Sequence, residues 1–379
     1  MEGVKQMFLA LKELMYSKWR FTMIGMILVL IAWLVFILSG LGNGLANLSA
    51  ATFKNMDADY VVFEVGARDS MNRSLMPEEL INDLMNQDNV EDATSMSSSV
   101  AVALKEGEDS DSSKLDVSIL GIEAGSFLEP ELVEGDALDA GKEDYVIVND
   151  TLQNEGIEIG DTLELEGSPV TFTVAGFVEN ETFNHLPAIF TVTDKWREFA
   201  LAAPGAAQGI EDPVQAIMLQ GEEIDPEMIE NNVDGVDVVS KQDAINGLPG
   251  YTAETGTINM MLGFLFVISA FVISVFFYVL TLQKVHQFGV MKAIGASSGF
   301  LAKTIVSQVA VVALIGILVG VGLTYLTALV FPEGMPFLLD PVIVFTYAFI
   351  LLAVSILSSL ISVRKIAKID PLQAMGRVE

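Results

Sequence analysis

Residues 284–303 read KVHQFGVMKAIGASSGFLAK, with three lysines, one of the two histidines, three glycines and no acidic residue. In a chain with 50 Asp and Glu against 20 Lys and Arg, so one-sided a stretch needs a physical reason. Its flanks supply the first part of it. Residues 257–283 and 304–331 contain no charged residue, and neither do residues 21–42 and 341–363. About 20 helical residues cross a hydrocarbon core, so each run is long enough to span. The 51% apolar content agrees. The expected fold class is a membrane protein of four transmembrane α-helices, with a large α+β domain inserted between helices 1 and 2.

Basic residues near helix ends mark the cytoplasmic side. Residues 1–20 hold Lys5, Lys12, Lys18 and Arg20, residues 284–303 hold three lysines, and residues 364–379 hold Arg364, Lys365, Lys368 and Arg377. Both termini and the 284–303 loop are therefore expected on the cytoplasmic side of a cell (plasma) membrane, with residues 43–256 and the short loop 332–340 outside. The first run is too long for a signal-peptide core and lacks a small-x-small cleavage site directly after it, so it reads as an uncleaved anchor. Residues 1–20 space Val4, Met7, Phe8, Leu11, Leu14 and Met15 as an amphipathic helix on the inner face, with Tyr16 and Trp19 at the interface.

This topology places 44 of the 50 acidic residues in the inserted domain, against nine basic ones. Such a surface serves solubility, or a cation-binding role, and argues against nucleic acid as a partner. With no cysteine the domain folds without disulfides, and thiol chemistry is excluded. Residues 60–65, 144–150 and 236–240 read as strands, and 160–179 as a hairpin about Gly167-Ser168-Pro169. PEELINDLMNQ (77–87) reads as a helix opened by Pro77, and 226–233 as another helix. The acidic, serine-rich segment 106–114 reads as a solvated loop. Because both ends of the domain continue into apolar spans, movement at its base is expected to pull on both.

The 284–303 segment is longer than a turn requires. Val285, Phe288, Val290, Met291 and Ile294 fit a short helix stopped by Gly295, which reads as a docking element for a cytosolic partner. The motif Gly289-Val290-Met291-Lys292-Ala293-Ile294-Gly295 resembles the coupling segment of FtsX/MacB-type ABC transporter permeases (type VII), in the pattern G-x-x-[KR]-A-[IL]-G. The tail RKIAKIDPLQAMG (364–376) is similar to the ending of that family, and the 160–179 hairpin to one in its outer domain. The resemblance implies a homodimer in the lipid bilayer, bound to two copies of a separate ABC ATPase. It places ATPase coupling on Phe288, Gly289, Met291, Lys292, Ala293, Ile294 and Gly295. The chain carries no G-x-x-x-x-G-K-[ST], and GASSGFLAKT (295–304) lacks a lysine directly after its second glycine. It is therefore expected to be no enzyme itself, with no intrinsic cofactor and no metal, and with ATP held by the partner.

Within the family, KELMYSKWRF (12–21), ILSGLGNGLA (37–46), GYTAETGTINMM (250–261), SVFFYVLTLQKVHQFGVMKAIG (274–295), MPFLL (335–339) and IDPLQAMGRVE (369–379) resemble heme-efflux permeases, whose ATPase is of the HrtA-like kind. The substrate this implies is heme, or another hydrophobic or amphipathic compound taken from the outer leaflet through a cleft between helices 1 and 2 of two protomers. Tyr251 falls on a tyrosine tied to heme handling in those relatives, and His185, in FNHLPAI, on a histidine in a similar stretch of them, which makes both candidates for the heme site. From the residues alone Tyr251 reads as an interfacial anchor, and His185 as a surface or capping residue. Where heme exporters carry a tyrosine two residues before that histidine, this chain has Phe183, which cannot ligate iron. Glu64 and Tyr60 are further candidates that strand positions also explain, and Met71, Met76, Met260 and Met261 read as packing. Gly316-x-x-x-Gly320 permits a close helix contact. No Asp, Glu, Lys or Arg lies within a span, which argues against an ion relay. The alternatives are a peptide-antibiotic or lipoprotein exporter, and an FtsX-like relay of motion to an extracellular hydrolase.

Overall fold

The structure, a computed structural model, describes residues 18–107, 113–332 and 334–367. The proposed amphipathic helix up to Ser17, the core of the 106–114 loop and most of the 364–379 tail lie outside the described residues. Four described helices are long and apolar enough to cross a membrane, and the family-type insertion falls between the first two. The chain divides into two compact units, one of residues 1–44 and 255–379 and one of residues 45–254.

Along the chain, α1 (Lys18–Asn55) leads into β1 (Tyr60–Glu64), β2 (Met76–Pro77), α2 (Leu80–Met85), β3 (Asp92–Lys105), β4 (Leu115–Ile122), β5 (Leu132–Gly135) and β6 (Tyr145–Asn149). Next come β7 (Thr162–Leu165), β8 (Thr171–Val178), β9 (Thr182–Phe183), β10 (Leu186–Val192) and α3 (Thr193–Ala200). The domain closes with β11 (Pro213–Val214), β12 (Ala216–Gln220), α4 (Pro226–Asn232), β13 (Val236–Ser240) and α5 (Lys241–Gly247). The chain then continues through α6 (Tyr251–Gln283), α7 (Val285–Ala293), α8 (Ser298–Ala328) and α9 (Pro341–Ala367).

The inserted domain is built on a mixed sheet in the order β13-β1-β12-β3-β4-β10-β6-β8-β5. The β3–β4 pair is its longest ladder, running antiparallel from Met96 opposite Ile122 to Ala103 opposite Leu115. Parallel pairs β4–β10 and β6–β8 make the class mixed α+β. Strand alternation sorts β1 between two cores. Val61 and Phe63 join a cluster with Phe53, Phe183 and Phe190, while Tyr60 and Val62 join Leu84, Ile217 and Val238. A third core gathers Val146, Phe172 and Ile189 around Trp196 of α3. Trp196 packs where Gly121 has no side chain, since a Cβ there would stand 2.6 Å from the Trp196 Cβ. Its indole N–H donates to Ser99 Oγ at 3.1 Å.

Pro77 corrects the reading of residues 77–87. It sits in β2, paired with Pro213 of β11, and the helix starts only at Leu80 without a side-chain cap. Pro226 does take the first helical position of α4, where Asp225 caps by accepting from the Met228 N–H at 3.3 Å. The hairpin expected at 160–179 forms as β7 and β8, antiparallel with Leu163 opposite Phe172.

In the other unit, α1 runs against α8. A Cβ on Gly316 would lie 3.0 Å from the Leu28 Cβ, and one on Gly320 2.7 Å from the Ala32 Cβ. The glycine pair therefore serves an intrachain contact, and Trp33 Nε1 closes it by donating to Thr327 Oγ1 at 3.1 Å. Gly40 and Gly44 notch another part of α1. The segment 335–339 lies in that notch, where a Gly44 Cβ would collide with the Pro336 carbonyl and Leu338 N–H donates to Gly40 O at 3.0 Å. Met23, Leu30 and Leu34 of α1, Phe264 and Phe271 of α6, and Phe345 and Phe349 of α9 are exposed, the surface lipid or a second copy would cover.

Candidate functional site

Two places gather the residues singled out above. The first is the tip of the β9–β10 hairpin. Its two-residue turn, Asn184-His185, has φ of 51° and 65°, the pattern of a type I′ turn. Helix α1 is kinked at Ala50 (φ −140°, ψ 16°), and a kink leaves helical carbonyls unmatched. The turn fills them: Asn184 N–H donates to Ser49 O at 3.0 Å and His185 N–H to Leu48 O at 3.1 Å. Phe183 stacks on Phe53 at 5.5 Å between ring centroids, so it is a packing residue of the joint.

The His185 ring continues that joint. Its Nε2 lies 2.9 Å from Ser49 Oγ and 3.4 Å from Glu254 Oε1. Glu254 is in the first turn of α6, and its Oε2 is buried with no hydrogen-bond partner among the described residues. Tyr251 is the first residue of α6, which therefore begins ahead of the span expected to start at Thr257. It is half-buried against the Phe53–Phe63 cluster, with Lys54 Nζ 5.6 Å from its ring centroid. That is within cation–π range. Lys54 also donates to Ala46 O at 3.0 Å. Thus His185 and Tyr251 both meet the last turns of α1 and the first turn of α6.

Tyr60 and Glu64 are elsewhere. They lie on the face of β1 opposite Val61 and Phe63. Glu64 Oε2 accepts from the Leu75 N–H at 3.3 Å. Met71 and Met76 are core residues, and Met260 and Met261 are exposed on α6. Sequence reasoning missed Ser49, Lys54 and Glu254. Only Glu254 carried a signal, three residues past Tyr251 and hence on the same helical face. Among the described residues no group of three His, Asp or Glu could hold a metal ion.

The second place is α7. Lys284 alone separates it from α6. At its other end Gly295 has φ +103°, the Gly295 N–H donates to Lys292 O at 3.0 Å, and the Ala296 N–H to Met291 O at 2.9 Å. Those two bonds are a Schellman stop, and they explain the glycine. Ser297 then caps α8, accepting from the Phe300 N–H at 3.1 Å. Phe288, expected to be offered to the partner, is instead 3% exposed, and Gly289 beside it is buried. Phe288 packs with Phe21, Leu301 and Ile305. Helical periodicity turns the opposite side outward: Val290 is 40% and Ile294 80% exposed, with Ala293 exposed and Met291 and Lys292 partly so. An apolar, basic-edged face next to membrane helices is suited to receiving a soluble partner and does no chemistry of its own.

Four helices long and apolar enough to span, a domain inserted between the first two, and a short helix after the second are the architecture of a multi-pass membrane protein. A family model described as the MacB-like periplasmic core domain matches residues 21–236, and one described as the FtsX-like permease C-terminal matches residues 259–371. The chain belongs to this FtsX/MacB family of ABC transporter permeases. It is 25% identical over 373 residues to a protein of Staphylococcus haemolyticus named as the hemin transport system permease HrtB, covering 98% of this chain and 100% of that one. A Mycobacterium tuberculosis protein named as an uncharacterized ABC transporter permease is 23% identical over 98% of this chain and 99% of its own length. Among solved structures, the periplasmic region of MacB from Actinobacillus actinomycetemcomitans aligns with a TM-score of 0.37 at 12% identity, covering 50% of this chain and 92% of that one.

Proposed function

We propose that this permease exports heme, or a closely similar flat amphipathic compound, taking it from the outer leaflet with energy from a separate HrtA-like ATPase. The working unit is two copies of this chain with two copies of the ATPase, both termini and α7 lying in the cytoplasm and residues 43–256 outside. The observation that carries the substrate is the end-to-end likeness to hemin transport permeases, which leaves no part of either chain unmatched by more than a few residues. The outward side of α7, Val290, Ala293 and Ile294, supports the ATPase contact. Exposed apolar residues on α1 and α6, among them Leu30, Leu34, Phe264 and Phe271, support a second copy beside them.

The chain also matches, end to end, a mycobacterial permease whose name gives no substrate, so a second reading is tested beside the first. In it the same machine moves a peptide antibiotic or a lipoprotein. The test is growth of a strain lacking this gene, with and without the gene restored, across hemin and a panel of membrane-active peptides. Heme export predicts that the gene raises tolerance to hemin and leaves peptide tolerance unchanged. Protection against a peptide alone would overturn it in favour of the second reading.

A further inference from the structure

The inserted domain contains a cavity of about 610 Å³ that the transport reading does not use. Its wall is made by the end of α1 (Asn55) and the link after it (Asp57), the segment carrying Glu129 and Glu131, and the β8–β9 link with Glu179 and Glu181. Five carboxylates line it, and no lysine or arginine does. In so acidic a domain, clustered carboxylates alone mean little more than solubility.

Glu181 is a different matter. The residue is 4% exposed, its Oε1 accepts from Asn55 Nδ2 at 2.9 Å, and its Oε2 is buried with no hydrogen-bond partner among the described residues. Burying a carboxylate oxygen short of donors is costly, and burial pushes this carboxyl above its ordinary range although hydrogen bonds from Asn55 and Thr52 oppose the rise. Glu129 shows how the same region satisfies an acid when it needs to. Its Oε2 accepts from the Gly125 N–H at 2.7 Å and its Oε1 from the Leu138 N–H at 2.9 Å. Lys241 is a cation beside this wall, donating to Met56 O at 2.6 Å and interacting with Asp57, while on the Glu179 side Asp150 is pushed up by burial and then by the charge of Glu179.

We propose that this cavity binds an organic cation, with an ammonium or guanidinium group donating to Glu181 Oε2 and with Asp57, Glu131 and Glu179 supplying the surrounding negative field. A bare metal ion fits less well, because among the described residues no three acidic or histidine side chains converge on one point. The volume is that of a small-molecule pocket. Phe127, Leu132 and Val133 add apolar wall for an alkyl stem beside the charged head. An aliphatic amine such as a polyamine has that chemistry, and so does the side chain of a basic peptide.

Calorimetric titration of the full-length chain in detergent tests this, with spermidine, a lysine-rich tripeptide, and calcium or magnesium alone as probes. Saturable binding of spermidine or the tripeptide is expected, and the stronger of the two identifies the source of the cation. Glu181→Gln should weaken it by about tenfold or more, the loss of one buried charge partner. The double variant Asp57→Asn, Glu179→Gln, made at exposed positions where folding is not at risk, should weaken it as well. Affinity should also fall toward acid pH, because Glu181 must lose its proton to receive the cation. The proposal is overturned if neither amine binds saturably. It is equally overturned if both variants bind like the wild type, or if a divalent metal binds with the same dependence on Glu181 while the amines do not.

Discussion

Gly320→Ala adds one methyl group to α8, and the structure says where it goes. The new Cβ would stand 2.7 Å from the Ala32 Cβ and 3.1 Å from the Trp33 backbone nitrogen. Ordinary carbon contacts begin at about 3.5 Å, so α1 and α8 must part by several tenths of an ångström. Neither obstacle is the loose end of a long side chain, so nothing can simply rotate away. Overpacking of this kind costs about 1–3 kcal/mol, and the Trp33–Thr327 hydrogen bond is strained with it. Gly322→Ala is the matched control, two residues along the same helix, where an added Cβ meets nothing within 4 Å. There the exchange should be neutral or stabilise by about 0.4–1 kcal/mol, since alanine favours helix over glycine. Thermal unfolding in detergent, followed by circular dichroism, should show a lower midpoint for Gly320→Ala and an unchanged or higher one for Gly322→Ala. Equal midpoints for the two variants would refute the glycine-mediated α1–α8 contact.

Phe288→Ala should lower stability by about 3–5 kcal/mol, because the side chain is core and not docking surface; an unchanged unfolding midpoint would show that the ring is not buried. Glu181 makes stability depend on pH in a defined direction. Its folded carboxyl binds its proton more tightly than the unfolded one, so stability relative to Glu181→Gln is expected to fall as pH rises from the ordinary carboxylate range through the raised folded value, and to level off above it. A rise over the same window contradicts the assignment. Single cysteines in this cysteine-free chain test the orientation: Thr171→Cys should react with an impermeant thiol reagent on intact cells, and Gln287→Cys only after the cells are opened. Labelling of Gln287→Cys from outside inverts the topology.

The four spans were legible because an uncharged apolar run of twenty residues has few other uses in a protein. Their ends were not. Helix α1 continues to Asn55 through NGLANLSAATFKN, beyond the span expected to end at Gly42. These residues stay helical because the hairpin tip at Asn184-His185 takes up the carbonyls of Leu48 and Ser49 at the kink. The long strand β3 escaped notice as well. Its serines hide the apolar alternation of a strand, yet Ser95, Ser97 and Ser98 are buried with hydrogen bonds to Glu78 and Gln215. The α7 helix and its glycine stop were readable from spacing, but periodicity alone does not say which side packs, and Phe288 turned out to face inward. Glu181 carried no signal at all. An acid among 50 acids becomes distinctive only when tertiary contacts bury it and leave one oxygen without a donor.

The central claim is that a separate ATPase docks on the outward side of α7. It is tested most directly by purifying the tagged full-length chain from its host and measuring the vanadate-sensitive ATP hydrolysis that accompanies it. Ile294 is 80% exposed, so Ile294→Asp should leave folding intact while burying a carboxylate against the partner. Truncating or mismatching one side of a desolvated contact costs about 2–5 kcal/mol, a loss of roughly thirtyfold or more in affinity. The account predicts ATPase activity with the wild-type chain and its loss with Ile294→Asp, at an unchanged unfolding midpoint. Equal ATPase recovery with both chains would contradict it.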